Sequence, residues 1–304
     1  MTNGQPTVSI DHITKSFGAF IAVNKLSLAV YPGRIYGLLG PNGAGKTTTI
    51  RMIVNIMAPD SGRIEVFGQQ ITPRLQDRIG YLPEERGLYK KMKVGDQIKF
   101  FAALKDVDSK EADRRVDRWL SRLKLAEWKN RKAGELSKGM QQKVQFINSI
   151  IHEPDLLILD EPFSGLDPVN LELLKEVILE LKASGKTIIF STHQMEIAER
   201  ICDDICLING SRKVLEGSIR EVKRGFGRHA VALRLQGGDG VLIDQSLVTK
   251  IERHSDGMEV FLADGTSAQT LLKRLIEAGA LIERFEMIEP SLSNIFIAKV
   301  SEGE

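Results

Sequence analysis

Residues 40–47 read Gly40-Pro41-Asn42-Gly43-Ala44-Gly45-Lys46-Thr47, a fit to G-x-x-x-x-G-K-[ST]. In such a run the backbone N–H groups of a Gly-rich turn can cradle phosphates. The lysine, Lys46, can reach the β- and γ-phosphates, and the Thr47 hydroxyl can hold Mg²⁺. The glycines are needed because the backbone must approach the anion in conformations that a Cβ would block. Thr48, next in the chain, is counted with the nucleotide-contacting residues. A second constellation is Leu156-Leu157-Ile158-Leu159-Asp160-Glu161, an apolar run that ends in two acids. An acid at a strand end suits the Mg²⁺ shell of a phosphate-loop protein, and Asp160 fits that role. Glu161, one residue on, stands where a general base could polarise an attacking water.

These side chains need elements to hold them. The run Ile35-Tyr36-Gly37-Leu38-Leu39 reads as a buried strand, and Thr47 to Met57 as a helix whose N-terminus points at the phosphates. Val8 to Ile13 and Ala22 to Val30 alternate as strands of an antiparallel edge sheet, and Arg63 to Phe67 is a short strand after the turn Asp60-Ser61-Gly62. Further strands are expected at Ile79–Leu82, ending at Pro83, and at Leu156–Leu159, Thr187–Phe190 and Ile205–Asn209. Helical patterns run from Val94 to about Trp128, from Asn170 to Ser184 and from Glu196 to Ile201. Buried apolar strands alternating with helices predict an α/β domain with a mostly parallel sheet. The charged, glycine-bearing segment Arg220–Arg228 reads as a linker. Beyond it, strands at His229–Leu235, Thr249–Arg253, Met258–Leu262 and Leu281–Met287, with helices at Ser267–Ala278 and Ser291–Val300, predict a small α+β domain. The expected division is 1–217 and 218–304, with a helical subdomain at about 85–150.

Composition narrows the class. The 304 residues are 42% hydrophobic and 27% charged, as in an ordinary globular protein. A net charge of +2 implies no general attraction to nucleic acid or acidic lipid. No apolar run approaches the roughly 18–20 residues of a membrane span. Met1 to Thr7 is short and polar, without the apolar core of a signal peptide, so a cytosolic chain, free or docked, is expected. Cys202 and Cys206 are expected to be reduced and structural, since no second Cys/His pair lies close by.

Taken with four further motifs, residues 6–217 resemble the ATP-binding subunit of ABC transporters. Leu136-Ser137-Lys138-Gly139-Met140-Gln141-Gln142 is similar to the ABC signature, and Ser164-Gly165-Leu166-Asp167 to the D-loop. Ser191-Thr192-His193 is similar to the switch-histidine loop, and Phe17 stands where the family places the aromatic that stacks on adenine. The resemblance implies a P-loop ATPase core of ABC type with an antiparallel β edge subdomain and an α-helical subdomain. It implies ATP and Mg²⁺ as ligands. Ser137 and Gly139 would close over the γ-phosphate held by a second subunit docked head to tail, and Asp167 would link the two sites across that interface. His193 would contact the γ-phosphate and hold the water and Glu161 in line. Stacking by Phe17 does not itself select adenine, and core packing is the alternative reading of that residue.

Two positions depart from the family's usual pattern. Glu84 stands where the family usually has Gln, touching Mg²⁺, and a carboxylate can ligand Mg²⁺ at least as well as an amide. Its added negative charge predicts slower or more metal-sensitive hydrolysis. Lys138 and Met140 replace the usual Gly and Gln, while Ser137 and Gly139 remain. The run Leu82-Pro83-Glu84-Glu85-Arg86-Gly87-Leu88-Tyr89, with the tail Glu289-Pro290-Ser291-Leu292-Ser293-Asn294-Ile295-Phe296, is similar to sodium-extrusion-type subunits of ABC-2 exporters. That resemblance implies an ATPase on the cytoplasmic side of the membrane, working with an integral permease of ABC-2 type, with sodium or drug and small-molecule efflux among the candidate cargoes. Leu88, Tyr89 and Met92 would meet a short helix of the permease, or pack in the core. The C-terminal domain is expected to regulate or to make dimer contacts. Non-transport ABC ATPases acting on translation or DNA, and non-enzymatic nucleotide-responsive adaptors, are the rivals. A single cassette without a basic stripe argues against the first, and Glu161 against the second.

Overall fold

A five-residue strand with every side chain buried, Ile35–Leu39, lies inside the main sheet and delivers the Gly-rich turn to its edge. Such a strand has covered faces on both sides, hence its continuous apolar sequence. The computed structural model describes residues 4–85, 87–226, 230–254, 256–263 and 265–301. It divides into two compact units that meet at Gly217 and Ser218.

The first unit begins with β1 (Val8–Phe17), β2 (Phe20–Val30) and β3 (Ile35–Leu39), then α1 (Lys46–Ile53), β4 (Ser61–Val66), the single turn α2 (Pro73–Gln76) and β5 (Ile79–Leu82). Three helices follow, α3 (Val94–Ala103), α4 (Ser109–Arg122) and α5 (Lys138–Ile150). The chain then alternates through β6 (Leu156–Asp160), α6 (Pro168–Ala183), β7 (Thr187–Thr192), α7 (Met195–Ile201), β8 (Asp204–Asn209) and β9 (Arg212–Ser218). The main sheet has the order β5-β6-β7-β3-β8-β9, and its first five strands run parallel. A separate antiparallel sheet has the order β2-β1-β4. Val8, Ile10, Leu26 and Val30 of that sheet share a core with Tyr36, Leu38, Ile50 and Ile158, so the antiparallel sheet packs on the parallel one over α1.

The second unit comprises α8 (Ile219–Gly225), β10 (Ala230–Gln236), α9 (Asp239–Leu242), β11 (Val248–His254), β12 (Gly257–Leu262), α10 (Ala268–Glu277), β13 (Leu281–Ile288) and α11 (Leu292–Ser301). Its antiparallel sheet runs β11-β12-β10-β13. Leu271 and Leu275, one turn apart on α10, bury against Val231, Leu233, Val260 and Leu262.

Some element boundaries differ from those expected, each for a local reason. The first helix stops at Ile53, not Met57, because Val54 leaves the helical region and Asn55 adopts φ 60°. The helical pattern from Val94 to Trp128 is two helices. The chain turns at Asp106 (φ 54°), and Asp108 then caps α4, its Oδ1 accepting from the N–H groups of Lys110 and Glu111. Much of the expected linker Arg220–Arg228 is helical. Ser218 and Glu221 form a reciprocal capping box that starts α8. Gly227, Arg228 and His229 lie outside the described residues, as does Arg86.

Candidate nucleotide site

Parallel order decides what meets here. β7 lies between β3 and β6, so the turn after β3, the acids ending β6 and the histidine after β7 all emerge at one carboxyl edge. That edge is where open α/β sheets form their ligand crevice. The turn itself requires its glycines. Gly45 has φ 105°, and a Cβ on it would lie 2.3 Å from the carbonyl oxygen of Ala22. A Cβ on Gly40 would come within 2.1 Å of the carbonyl oxygen of Ile208.

Lys46 is buried, and its ammonium donates to the carbonyls of Gly40 (2.8 Å) and Pro41 (3.1 Å), bending back over the turn. It lies 3.7 Å from Glu161 Oε1. Burial pulls the Lys46 pKa below the usual lysine range, opposed by the charges of Glu161, Asp160 and Glu84. The Thr47 hydroxyl donates to Asp160 Oδ1 at 3.2 Å. Asp160 is fully buried, and loss of water raises its pKa even against the hydrogen bonds from Ser191 and Thr47. Its second oxygen, Oδ2, is buried without a hydrogen-bond partner among the described residues. A buried ionised oxygen left unmatched is costly, and a hard divalent cation satisfies a carboxylate beside a hydroxyl. Mg²⁺ therefore fits the donors Asp160 and Thr47.

Glu161 is held in an unusual conformation, φ 49°, by its surroundings. Its N–H donates to Ser191 Oγ (3.0 Å), and Ser191 Oγ donates to Asp160 Oδ1 (2.5 Å). Ser191 is opposite Asp160 in the β6/β7 register, so one hydroxyl ties both acids to the neighbouring strand. His193 Nδ1 lies 3.0 Å from Glu161 Oε1. A carboxylate has no proton to give, so Nδ1 is the donor while Glu161 is ionised. The His193 ring is 46% exposed and Glu161 only 7%, so the pair spans from the sheet edge toward solvent.

The cavity at this edge encloses about 250 Å³ and is lined by Phe17, Phe20, Ala22, Asn42, Gly43, Gly45, Lys46, Thr47, Thr48, Glu84 and Glu161. Phe17 is 51% exposed, so it faces this opening and not the core. Phe20, across the β1/β2 turn from it and 58% exposed, is a second aromatic wall that sequence reasoning missed. Pro41 is exposed and Ala44 buried within the turn. Among the lining residues Ser137, Gly139 and Asp167 do not appear. Ser137 caps α5 by accepting from the Met140 N–H at 3.3 Å, and Gly139 packs under Leu166 with space for a Cβ only at van der Waals distance. Asp167 caps α6, accepting from the Asn170 N–H at 2.9 Å, and that bond holds its carboxyl below the usual range. Leu88 is half-buried and Tyr89 exposed, edge-on to Phe100 and stacked near Phe101. Cys202 and Cys206 are free thiols, and burial pushes the Cys206 thiol up to about 12, which leaves it inert.

A P-loop core with a buried lysine, a strand-end acid pair and a separate helical layer defines a nucleotide triphosphatase. Comparison with known proteins narrows this. A family model described as ABC transporter matches residues 23–164, and one described as ATP-binding protein DrrA1-3-like, C-terminal domain, matches residues 217–300. The chain is 43% identical over 293 residues to the uncharacterized ABC transporter ATP-binding protein YhaQ of Bacillus subtilis (strain 168), spanning 96% of this chain and 98% of that protein. It is 33% identical over 297 residues to the Nod factor export ATP-binding protein I of Paraburkholderia xenovorans (strain LB400), spanning 96% of each. A solved structure of the ATP binding subunit of an ABC transporter is similar with a TM-score of 0.68 and 31% identity, covering 73% of this chain and 93% of that one. The chain belongs to the ATP-binding proteins of ABC transporters, a family that binds and hydrolyses ATP. Among the described residues no helix is long and apolar enough to cross a membrane.

Proposed function

We propose that this chain powers an ABC-type exporter as its ATPase subunit, working through a separate integral membrane permease of ABC-2 type. The observation that carries the reading is the split of the phosphate-binding groups. Lys46, Thr47 and Glu161 line one cavity, with Asp160 bonded behind Thr47 and His193 beside Glu161, while Ser137 and Gly139 start α5 outside its lining. A second copy docked head to tail would bring its Ser137 and Gly139 to this cavity and complete the site. Residues 40–48 would cradle the triphosphate, Phe17 would stack on the base, and Asp167 would reach across the interface. Mg²⁺ would be held by Asp160 and Thr47 with Glu84 at the cavity wall, and when bound it supplies charge neutralisation at the phosphates. Glu161 takes the proton of the attacking water as its general base. The Nδ1 proton of His193 orients the Glu161 carboxylate, and the other ring nitrogen would donate to the γ-phosphate in the imidazolium form, where both nitrogens carry protons. Closure on ATP and reopening after hydrolysis would move the permease. The export direction draws support from the relative named for Nod factor export. Its cargo is chosen by the permease. The expected station is the cytoplasmic face of the membrane.

Glu161→Gln is the test. It keeps the shape of the side chain and removes the base. ATP should then convert the chain to a dimer on size exclusion, with phosphate release reduced at least a hundredfold, in line with general-base contributions of about 10²–10⁴. Hydrolysis at the wild-type rate would refute the base assignment, and a monomer at saturating ATP would refute the head-to-tail dimer.

A further inference from the structure

Helix α5 buries a lysine that the phosphate chemistry does not use. Lys143 is 4% exposed, six residues after Ser137. Its ammonium donates to the Leu123 carbonyl at the end of α4 (2.9 Å) and to Asn170 Oδ1 on α6 (3.0 Å). The amide nitrogen of the same Asn170 side chain donates to Asp167 Oδ2 at 2.5 Å, and the Asn170 N–H donates to Asp167 Oδ1 at 2.9 Å. A continuous polar path thus runs from the end of α4, through α5, to the carboxylate of Asp167. Alongside it, Gln142 donates to the Pro162 carbonyl (3.1 Å), and Gly139 rests near Leu166.

Burying an ammonium is expensive unless it is fully paired. A methionine there would fill the same space without that cost. What the lysine adds is direction. Asn170 can present its amide N–H₂ to Asp167 because Lys143 occupies its carbonyl oxygen. Without the ammonium the amide is free to rotate, and Asp167 keeps only backbone donors, at Asn170 and Val169. Asp167 is exposed and sits on a loop, so little else holds its second oxygen. The C-terminal carbonyl of α4 favours a cation as well, which fixes the lysine to the helical layer.

We infer that Lys143 is a positioning residue that couples the signature helix to the D-loop, orienting the Asp167 carboxylate through Asn170 so that Ser137, Gly139 and Asp167 reach the partner's nucleotide as one rigid surface. This inference rests on the dimer reading above, in which Asp167 acts across the interface. It adds the part that makes two separate motifs a single docking element. A misplacement of about 1 Å at such a group costs on the order of a hundredfold in rate.

The test is a double-mutant cycle on the full chain with ATP and Mg²⁺, reading phosphate release, the melting temperature and ATP-driven dimerisation in the Glu161→Gln background. Lys143→Met and Asn170→Ala should each lower kcat about tenfold or more, with KM for ATP changed less than about threefold, since the cavity of the same chain is untouched. The double variant should be no slower than the worse single one, the mark of one shared path. Lys143→Arg, which keeps a donor, should recover most of kcat. Asn170→Ala lies at a half-exposed position, so it tests the path even if Lys143→Met folds poorly. Additive losses in the double variant, or wild-type kcat in Asn170→Ala, would overturn the coupling. Asp167→Ala separates the two levels. Wild-type kcat and dimerisation there would sink the interface role of Asp167. An impaired Asp167→Ala beside an unaffected Asn170→Ala would sink this inference alone.

Discussion

Ser191→Ala removes one oxygen and tests how the two acids are held. The Ser191 hydroxyl is completely buried, accepts from the Glu161 N–H at 3.0 Å and donates to Asp160 Oδ1 at 2.5 Å. The alanine leaves a buried N–H unpartnered, which costs about 1–3 kcal/mol, and removes a hydrogen bond to a charged group, worth about 1.5–3 kcal/mol. The combined loss is about 3–5 kcal/mol after allowing for partial relaxation of the strand end. For a unit of this size that is a fall of about 6–20 °C in melting temperature, at about 2–4 °C per kcal/mol. The catalytic effect is larger than a general loosening would give. Glu161 sits at φ 49°, a conformation that costs a non-glycine residue roughly 1–2 kcal/mol, and its N–H bond to Ser191 helps to hold it there. Freed from that bond, the carboxylate moves relative to the γ-phosphate, and kcat should fall about a hundredfold. The pH profile supplies a sign. Burial already raises the Asp160 pKa, and the Ser191 hydrogen bond opposes the rise. Without it, Asp160 needs a higher pH to ionise, so the acidic limb of the rate profile moves to higher pH. Calorimetry and steady-state phosphate release, each followed from mildly acidic to mildly alkaline pH, would measure both effects. Unchanged melting temperature and kcat, or an acidic limb moved to lower pH, would refute the argument that this hydroxyl sets both carboxylates.

Asp160→Asn should abolish hydrolysis yet raise the melting temperature in EDTA. The raised pKa means that ionising Asp160 penalises the folded state above the ordinary carboxylate range. The difference between variant and wild type should therefore be largest at neutral and alkaline pH and vanish as pH falls below that range, and a lower melting temperature in mild alkali would count against it. Glu84→Gln should raise kcat at saturating Mg²⁺ and raise the Mg²⁺ needed for half-maximal rate by several-fold, because it removes one negative charge from the cavity wall that also holds Glu161. An unchanged rate and Mg²⁺ dependence would show that Glu84 does not reach the site.

Periodicity and turn chemistry make much of the fold legible in the sequence. The strands β3, β6 and β7 are buried on both faces, so their apolar runs stand out, and the carboxyl ends of those runs carry Gly40, Asp160 and His193. Element ends are less legible, because left-handed residues such as Asn55 and Asp106 leave no mark in hydrophobic spacing. The capping box that starts α8 is visible as Ser218 and Glu221, but the surrounding charges suggest a linker. Ser191 stands in the sequence as part of a motif, without a reason for its hydroxyl. Only strand order sets it opposite Asp160, and that order comes from packing between residues 31 positions apart in the chain. Lys143 and Gln142 have the polar character of a helix surface, yet both are buried, because three elements close around that face of α5.

By itself, then, the sequence determined which groups are available: a glycine turn whose backbone alone can pass close to phosphate, a lysine, a hydroxyl and two acids at the ends of apolar runs. Such groups act through local conformation, and local conformation is written in adjacent residues. The tertiary structure alone decided which of them face one cavity and which stay outside it. It set Asp160 Oδ2 without a partner among the described residues, aimed Phe17 and Phe20 outward together, and left Ser137 and Gly139 out of the lining of the cavity that holds Lys46. The reason is that non-local position depends on strand order and on how helices pack across the sheet. Both are settled by burial of the whole apolar surface, and no single segment carries that sum.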